Sequence, residues 1–324
     1  MTTNDRMGTR VLLSLALLAA VTVAVQVMFP QEAGAVVCSS VVAGMTDTDQ
    51  DGIPDKCECD GITLANQQTI SGSGTSTGSG FMNPNYKDLI VYLQPPDTGS
   101  SLLPAKEDLF RPVINDPNLT APPGLGIMLH VYDTFPFQNT DRVVMSNPQS
   151  CANSQTITQR GAWITEDNIS PDAASGSALG STTCIGSPNC SNNSSTVYTL
   201  RVKNFVDTTC MGYTNCIDSG DRYGLKPSVG RNDMQGLYNL YNRQNINHEL
   251  AHQMALVPAP AATKGNKGTS PTVTNNHYPT PTSGAGSIMV YSVYYKQDNS
   301  TPSTVTWYIP DTFITYDVTN KRLK

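Results

Sequence analysis

The sequence predicts an α+β protein, loop-rich and stapled by disulfides, in which a mixed β-sheet and one long helix follow a small acidic module. Three observations predict it. Runs of β-branched and aromatic residues at 87–94, 126–133 and 196–203 read as strands. Residues 237–256 place Leu237, Leu240, Tyr241, Ile246, Leu250 and Met254 at mixed steps, mostly of three or four residues, the period of a helix, which Pro258 and Pro260 stop. The 324 residues include 25 Gly, 22 Pro and eight cysteines, so much of the chain is loop and the loops can be cross-linked. With 38% apolar and only 14% charged residues the chain folds rather than remaining disordered. A net charge of −6 and a pI of about 5.1 exclude a phosphate-tracking surface, and with it nucleic acid as a partner.

From the N-terminus, Arg6 and Arg10 precede an uncharged apolar run at 11–29, and Pro30 and Ala33-Gly34-Ala35 follow it. Residues 1–35 therefore read as a signal peptide or, if uncleaved, an N-terminal anchor. Either way the remainder is exported, to the medium, the cell surface or a periplasm. The membrane enters only through that segment. Residues 36–62 form the acidic module, 63–85 a flexible linker with a Ser/Gly run at 71–80, and 86–324 the main domain. Within it, 147–195 reads as a disulfide-pinned loop region, 259–286 as loop and 310–323 as a short terminal helix. Cys184/Cys190 and Cys210/Cys216 are each near enough in sequence to close a small loop. No Cys-x-x-Cys occurs, which argues against a thiolate zinc site.

In the acidic module, Asp47, Asp49, Asp51, Asp55 and Glu58 occupy positions 1, 3, 5, 9 and 12 of a loop whose sixth residue is Gly52. Alternate residues of a tight loop can turn hard oxygens onto one ion, so the spacing predicts a structural Ca²⁺. Asp-x-Asp-x-Asp-Gly-x-Pro-Asp-x-Cys resembles the calcium repeats of thrombospondin type 3 over about a dozen residues.

His248-Glu249-Leu250-Ala251-His252 decides the functional expectation. Residues four apart share a helix face, so both imidazoles can reach one catalytic Zn²⁺ while Glu249 serves as general base. A third ligand is needed, and Glu249 is the last Glu in the chain. That leaves His277, Asp298, Asp311 and Asp317 downstream; imidazole is the better zinc donor, and Ser287-Ile-Met-Val-Tyr291 follows His277 closely. His130, inside a strand run, reads as a hydrogen-bonded core or edge histidine.

From His248 to Tyr291 the chain resembles the metzincin zinc metallopeptidases, in which His-Glu-x-x-His, a third His and a Met-containing turn occur in this order. The resemblance implies a zincin-like catalytic domain with an active-site helix. It also implies zinc on His248, His252 and His277, Glu249 as base, Met289 beneath the metal, and Tyr291 holding the zinc or the reacting oxyanion. Ala255 and Pro258 stand where the family has Gly and its third His, so His277 must return from a longer excursion. The expected function is an exported zinc endopeptidase acting on a protein or peptide. The alternative is a calcium-dependent cell-surface binding protein with an inactive zincin-like domain.

Overall fold

The chain past Cys38 opens with a 3-10 turn at Cys38–Ser40, a short helix α1 (Asp55–Asp60) and an antiparallel hairpin of β1 (Gly61–Thr63) and β2 (Thr69–Ser71). Gly61 closes α1 at φ +88°, where a Cβ would lie 2.5 Å from the Ile70 carbonyl oxygen. Only glycine fits that corner. This computed structural model describes residues 37–41, 46–72, 81–110, 127–138, 157, 159–170, 178–183, 194–219, 234–254, 288 and 293–310. Cys38–Lys324 form one compact unit and Met1–Val37 another. Among the described residues no helix is long and apolar enough to cross a membrane.

Strand β3 (Lys87–Gln94) is the centre of the main sheet. After it come a single helical turn α2 (Lys106–Leu109), then β4 (Ile127–Tyr132), β5 (Ala162–Asp167), β6 (Gly180–Thr182) and β7 (Ser195–Tyr198). The strands lie in the order β4-β3-β5-β7-β6, parallel except β6, which runs antiparallel along β7 at the edge. Because side chains alternate along a strand, β3 serves two cores. Leu89, Val91 and Leu93 face one with Ile127, Ala162, Ile164 and Val197. Ile90 faces the other, shared with Ile53, Ile62, Leu64, Ile70, Met82 and Phe137, so the acidic module and the sheet bury one another's apolar surface. Met82 N donates to Ser71 O at 2.9 Å, which holds together the chain on either side of 73–80.

Helix α3 (Thr199–Cys210) follows β7 without a break, and β8 (Asn215–Asp218) leads on towards the long helix α4 (Met234–Gln253). Strands β9 (Tyr294–Asp298) and β10 (Thr304–Tyr308) complete a second sheet in the order β8-β10-β9. The first half of α4 packs Leu237, Leu240 and Tyr241 with Val202, Val206, Val305 and Trp307. Its second half packs Ile246, Leu250, Ala251 and Met254 onto the main sheet. The helix therefore spans two cores, and its 245–252 stretch is buried on every side.

The structure is thus mixed α and β, with disulfides Cys38–Cys59 and Cys210–Cys216. Cys57 is also disulfide-bonded. These bonds fit an exported chain in an oxidising compartment. Two expectations need correction. Residues 196–203 are not one strand: β7 ends at Tyr198 and Thr199–Cys210 is helical, since Val202 and Val206 bury at a helical step beneath Trp307. Part of 147–195, expected as loop, is sheet, because Ala162, Ile164 and Glu166 alternate inward along β5. The expected terminal helix, the 259–286 loop and the N-terminal signal fall outside the described residues.

Candidate metal centres

His248 and His252 stand one turn apart on α4, both buried, with rings edge to face and their Nε2 atoms 3.1 Å apart. His248 Nδ1 lies 2.8 Å from the Ile288 carbonyl oxygen. A carbonyl can only accept, so Nδ1 carries the proton and Nε2 presents a lone pair. Burial pulls the His248 pKa down to about 4, against the upward pull of that hydrogen bond, so the ring is neutral at ordinary pH. Zinc–nitrogen bonds of about 2.0–2.1 Å at a tetrahedral angle would separate two imidazole nitrogens by about 3.3 Å. The spacing of the pair, and the tautomer and charge of His248, therefore fit one zinc ion.

Glu249 projects from the same turn against the sheet edge. Thr182 Oγ1 donates to its Oε2, and burial raises its pKa to about 7 although that hydrogen bond opposes the rise. The contact is tight: a Cβ on Gly180 would come within 2.4 Å of Glu249 Oε1 and 2.6 Å of Asn245 Oδ1. Beneath it, Thr182 Oγ1 meets Ser195 Oγ at 2.7 Å, and Gln253 Nε2 donates to Ser195 Oγ at 2.7 Å and to Trp163 O at 2.8 Å. Edge strand β6 thus sets where the carboxylate lies. Thr182, Gly180 and Ser195 escaped the sequence because they lie in Ser/Thr/Gly-rich chain with no motif spacing.

Among the described residues no third His, Cys, Asp or Glu joins the histidine pair at ligand distance. His277, Met289 and Tyr291 lie outside the described residues, as do Asp311 and Asp317. Asp298 is exposed on β9, where Ser300 N donates to it.

The acidic module forms a second centre. Asp47, Asp49 and Asp51 bring carboxylate oxygens within 4.8 Å of one another, and so do Asp51, Glu58 and Asp88. Gly52, at φ +92°, makes the turn, and its N–H donates to Asp47 Oδ2 at 3.0 Å. Asp55, expected as a ligand, does not join either group: Thr48 N and Thr48 Oγ1 each donate to its carboxylate at 2.7 Å. Asp88, on β3, takes part instead, although nothing in the loop's spacing pointed to it. Its Oδ1 pairs with His130 Nε2 at 2.5 Å, which gives His130 a buried hydrogen-bonding role. The only hint of Asp88 in the sequence was an acidic residue opening an apolar strand, a group that must find a partner once buried. Burial and the neighbouring carboxylates push Asp49, Asp51 and Glu58 above the ordinary carboxylate range. No protein-family profile, curated protein or solved structure matches this chain.

Proposed function

We propose that the chain is an exported zinc-dependent endopeptidase. The observation that carries the reading is the pair of buried imidazoles whose Nε2 atoms lie 3.1 Å apart on α4, with Glu249 between them in sequence. His248 and His252 would hold the ion. The metal supplies Lewis acidity, which activates water and polarises a scissile carbonyl. Glu249 takes the proton from the attacking water and returns it to the leaving amine; burial, which raises its pKa to about 7 in the metal-free chain, favours the protonated form that the second transfer needs. Thr182 holds that carboxylate in place by donating to Oε2. His277 is proposed as third ligand and Tyr291 as the residue that steadies the oxyanion. The acidic module is proposed to carry a structural calcium. A mixed sheet backing a His-Glu-x-x-His helix agrees with the metzincin resemblance.

The test is zinc content and casein hydrolysis across variants. Glu249→Gln is expected to keep zinc and lose cleavage, whereas His252→Ala and His277→Ala lose both. A Glu249→Gln protein as active as its parent would refute the reading. Ala255 and Pro258, which stand where the family has Gly and its third His, favour a second reading, an inactive zincin-like domain in a calcium-dependent surface protein. That reading expects no zinc after dialysis and no chelator-sensitive proteolysis.

A further inference from the structure

The carboxylates that gather at the acidic module come from three separate elements: Asp51 from the loop, Glu58 from α1 and Asp88 from the central strand β3. All three are buried, with Asp51, Glu58 and Asp88 at 0% exposure. Two of them are already anchored. Asp51 Oδ1 accepts from Ile53 N at 2.7 Å and its Oδ2 from Asp88 N at 2.6 Å, while Asn83 N donates to Asp88 Oδ2 at 3.0 Å and His130 lies on Oδ1. Glu58 is different. It is fully buried, faces the other two, and neither of its oxygens receives a hydrogen bond. A buried carboxylate with both oxygens unsatisfied is costly unless something positive meets it. Two lysines lie near, and neither meets Glu58: Lys87 Nζ donates to the Asp49 and Gln50 carbonyls, and Lys56 Nζ pairs with Asp60.

We infer that a divalent cation of calcium's kind binds between Asp51, Glu58 and Asp88 and clasps the acidic module to the main sheet. This rests on the acidic module binding calcium and is independent of the peptidase reading. The loop motif alone would make an ion that orders its own loop. Substituting Asp88 for Asp55 changes what the ion holds. One ligand lies on the strand that also supplies Leu89 and Val91 to the core under α4, so calcium bears on the sheet that carries the histidine helix. Gln159 marks the same seam, its Nε2 donating to Asp51 O at 3.0 Å and Asp88 O at 2.7 Å. The ion adds to a junction the backbone already favours. Hard oxygens from well-separated residues, none of them sulfur or nitrogen, select calcium over a transition metal.

The test uses the full chain, stripped with EDTA and titrated with CaCl₂ by calorimetry. Asp88→Asn and Glu58→Gln are expected to weaken binding at least tenfold, and Asp55→Asn to change it less than threefold. Asp88→Asn binding as tightly as the parent overturns the clasp but leaves a calcium loop. No calcium binding by the parent overturns both. Should Asp88→Asn fail to fold, hydrogen exchange on the parent chain decides. Calcium is expected to slow exchange at β3 and β4 amides as well as in 47–58, and protection confined to the loop overturns the clasp.

Discussion

Gly180 is the residue on which the position of Glu249 turns. A methyl group there would overlap Oε1 of Glu249 and Oδ1 of Asn245, at 2.4 and 2.6 Å, and both are buried groups with little room to retreat. The carboxylate must swing from its Thr182 hydrogen bond, and a base displaced by about 1 Å loses on the order of a hundredfold in rate. Gly180→Ala is therefore expected to cut casein hydrolysis tenfold or more with zinc content unchanged, as metal analysis and assay of one preparation would show. Thr182→Val should do the same by removing the donor, and Thr182→Ser should restore most of the rate. Unaltered hydrolysis in Gly180→Ala would mean that β6 does not hold the base. None of this was legible from the motif, which names the base but not the strand that aims it.

Helix α4 shows what pattern reasoning reaches and where it stops. Its apolar period was readable, and the helix found, Met234–Gln253, overlaps the expected 237–256 closely. Strand β3 was equally readable, since a strand buried on both faces is a continuous apolar run, and the edge strand β4 carries a similar run although only Ile127 and His130 in it are buried. The polar side of α4 was not readable as core. Asn242, Gln244, Asn245 and Asn247 are all buried, which no hydrophobic period predicts. Each reaches a neighbouring carbonyl: Gln244 donates to Ile288 O at 3.0 Å, Asn245 to Leu179 O at 2.7 Å and Asn247 to Leu109 O at 2.7 Å. These amides fasten to the helix segments that have no sheet hydrogen bonds of their own to it. Asn247→Ala strands the Leu109 carbonyl in a dry interior, a loss of about 1–3 kcal/mol. Asn239→Ala, at a solvent-facing hydrogen bond with Gln235, should stay within about 0.5 kcal/mol. Urea unfolding of the two variants checks the difference, and equal losses would show that Asn247 is not a tie. The same reasoning explains the missed helix α3. Its Val202 and Val206 match a strand as well as a helix, and only packing against Trp307 and Tyr241 decides between them.

At the scale of the whole molecule, buried carboxylates make stability depend on pH, and the ions proposed above would change the sign of that dependence. Asp49, Asp51 and Glu58 are pushed up chiefly by desolvation, with the like charges of their neighbours adding to the rise, and Glu249 is raised by desolvation alone, to about 7. A carboxyl group whose folded pKa exceeds its unfolded value stabilises the fold fully below the unfolded pKa. That contribution is lost as pH rises through the folded one. His248 works the other way: with a folded pKa of about 4 against an ordinary 6.5, its contribution is present above 6.5 and is lost as pH falls towards 4. Between 4.5 and 6.5 the two trends oppose each other. Above 6.5 the histidine has finished titrating and only the carboxylates remain. In EDTA the urea midpoint is therefore expected to fall steadily as pH is raised from 6.5 to 9. Metal ions at the proposed sites would reverse the sign of this dependence, because they bind ionised forms and compete with protons. With calcium and zinc added, the midpoint is expected to hold level or rise over the same range. A metal-free chain whose midpoint is flat from 6.5 to 9 would mean that these carboxylates are not desolvated in the folded state, and the ion-dependent fold would fall with them.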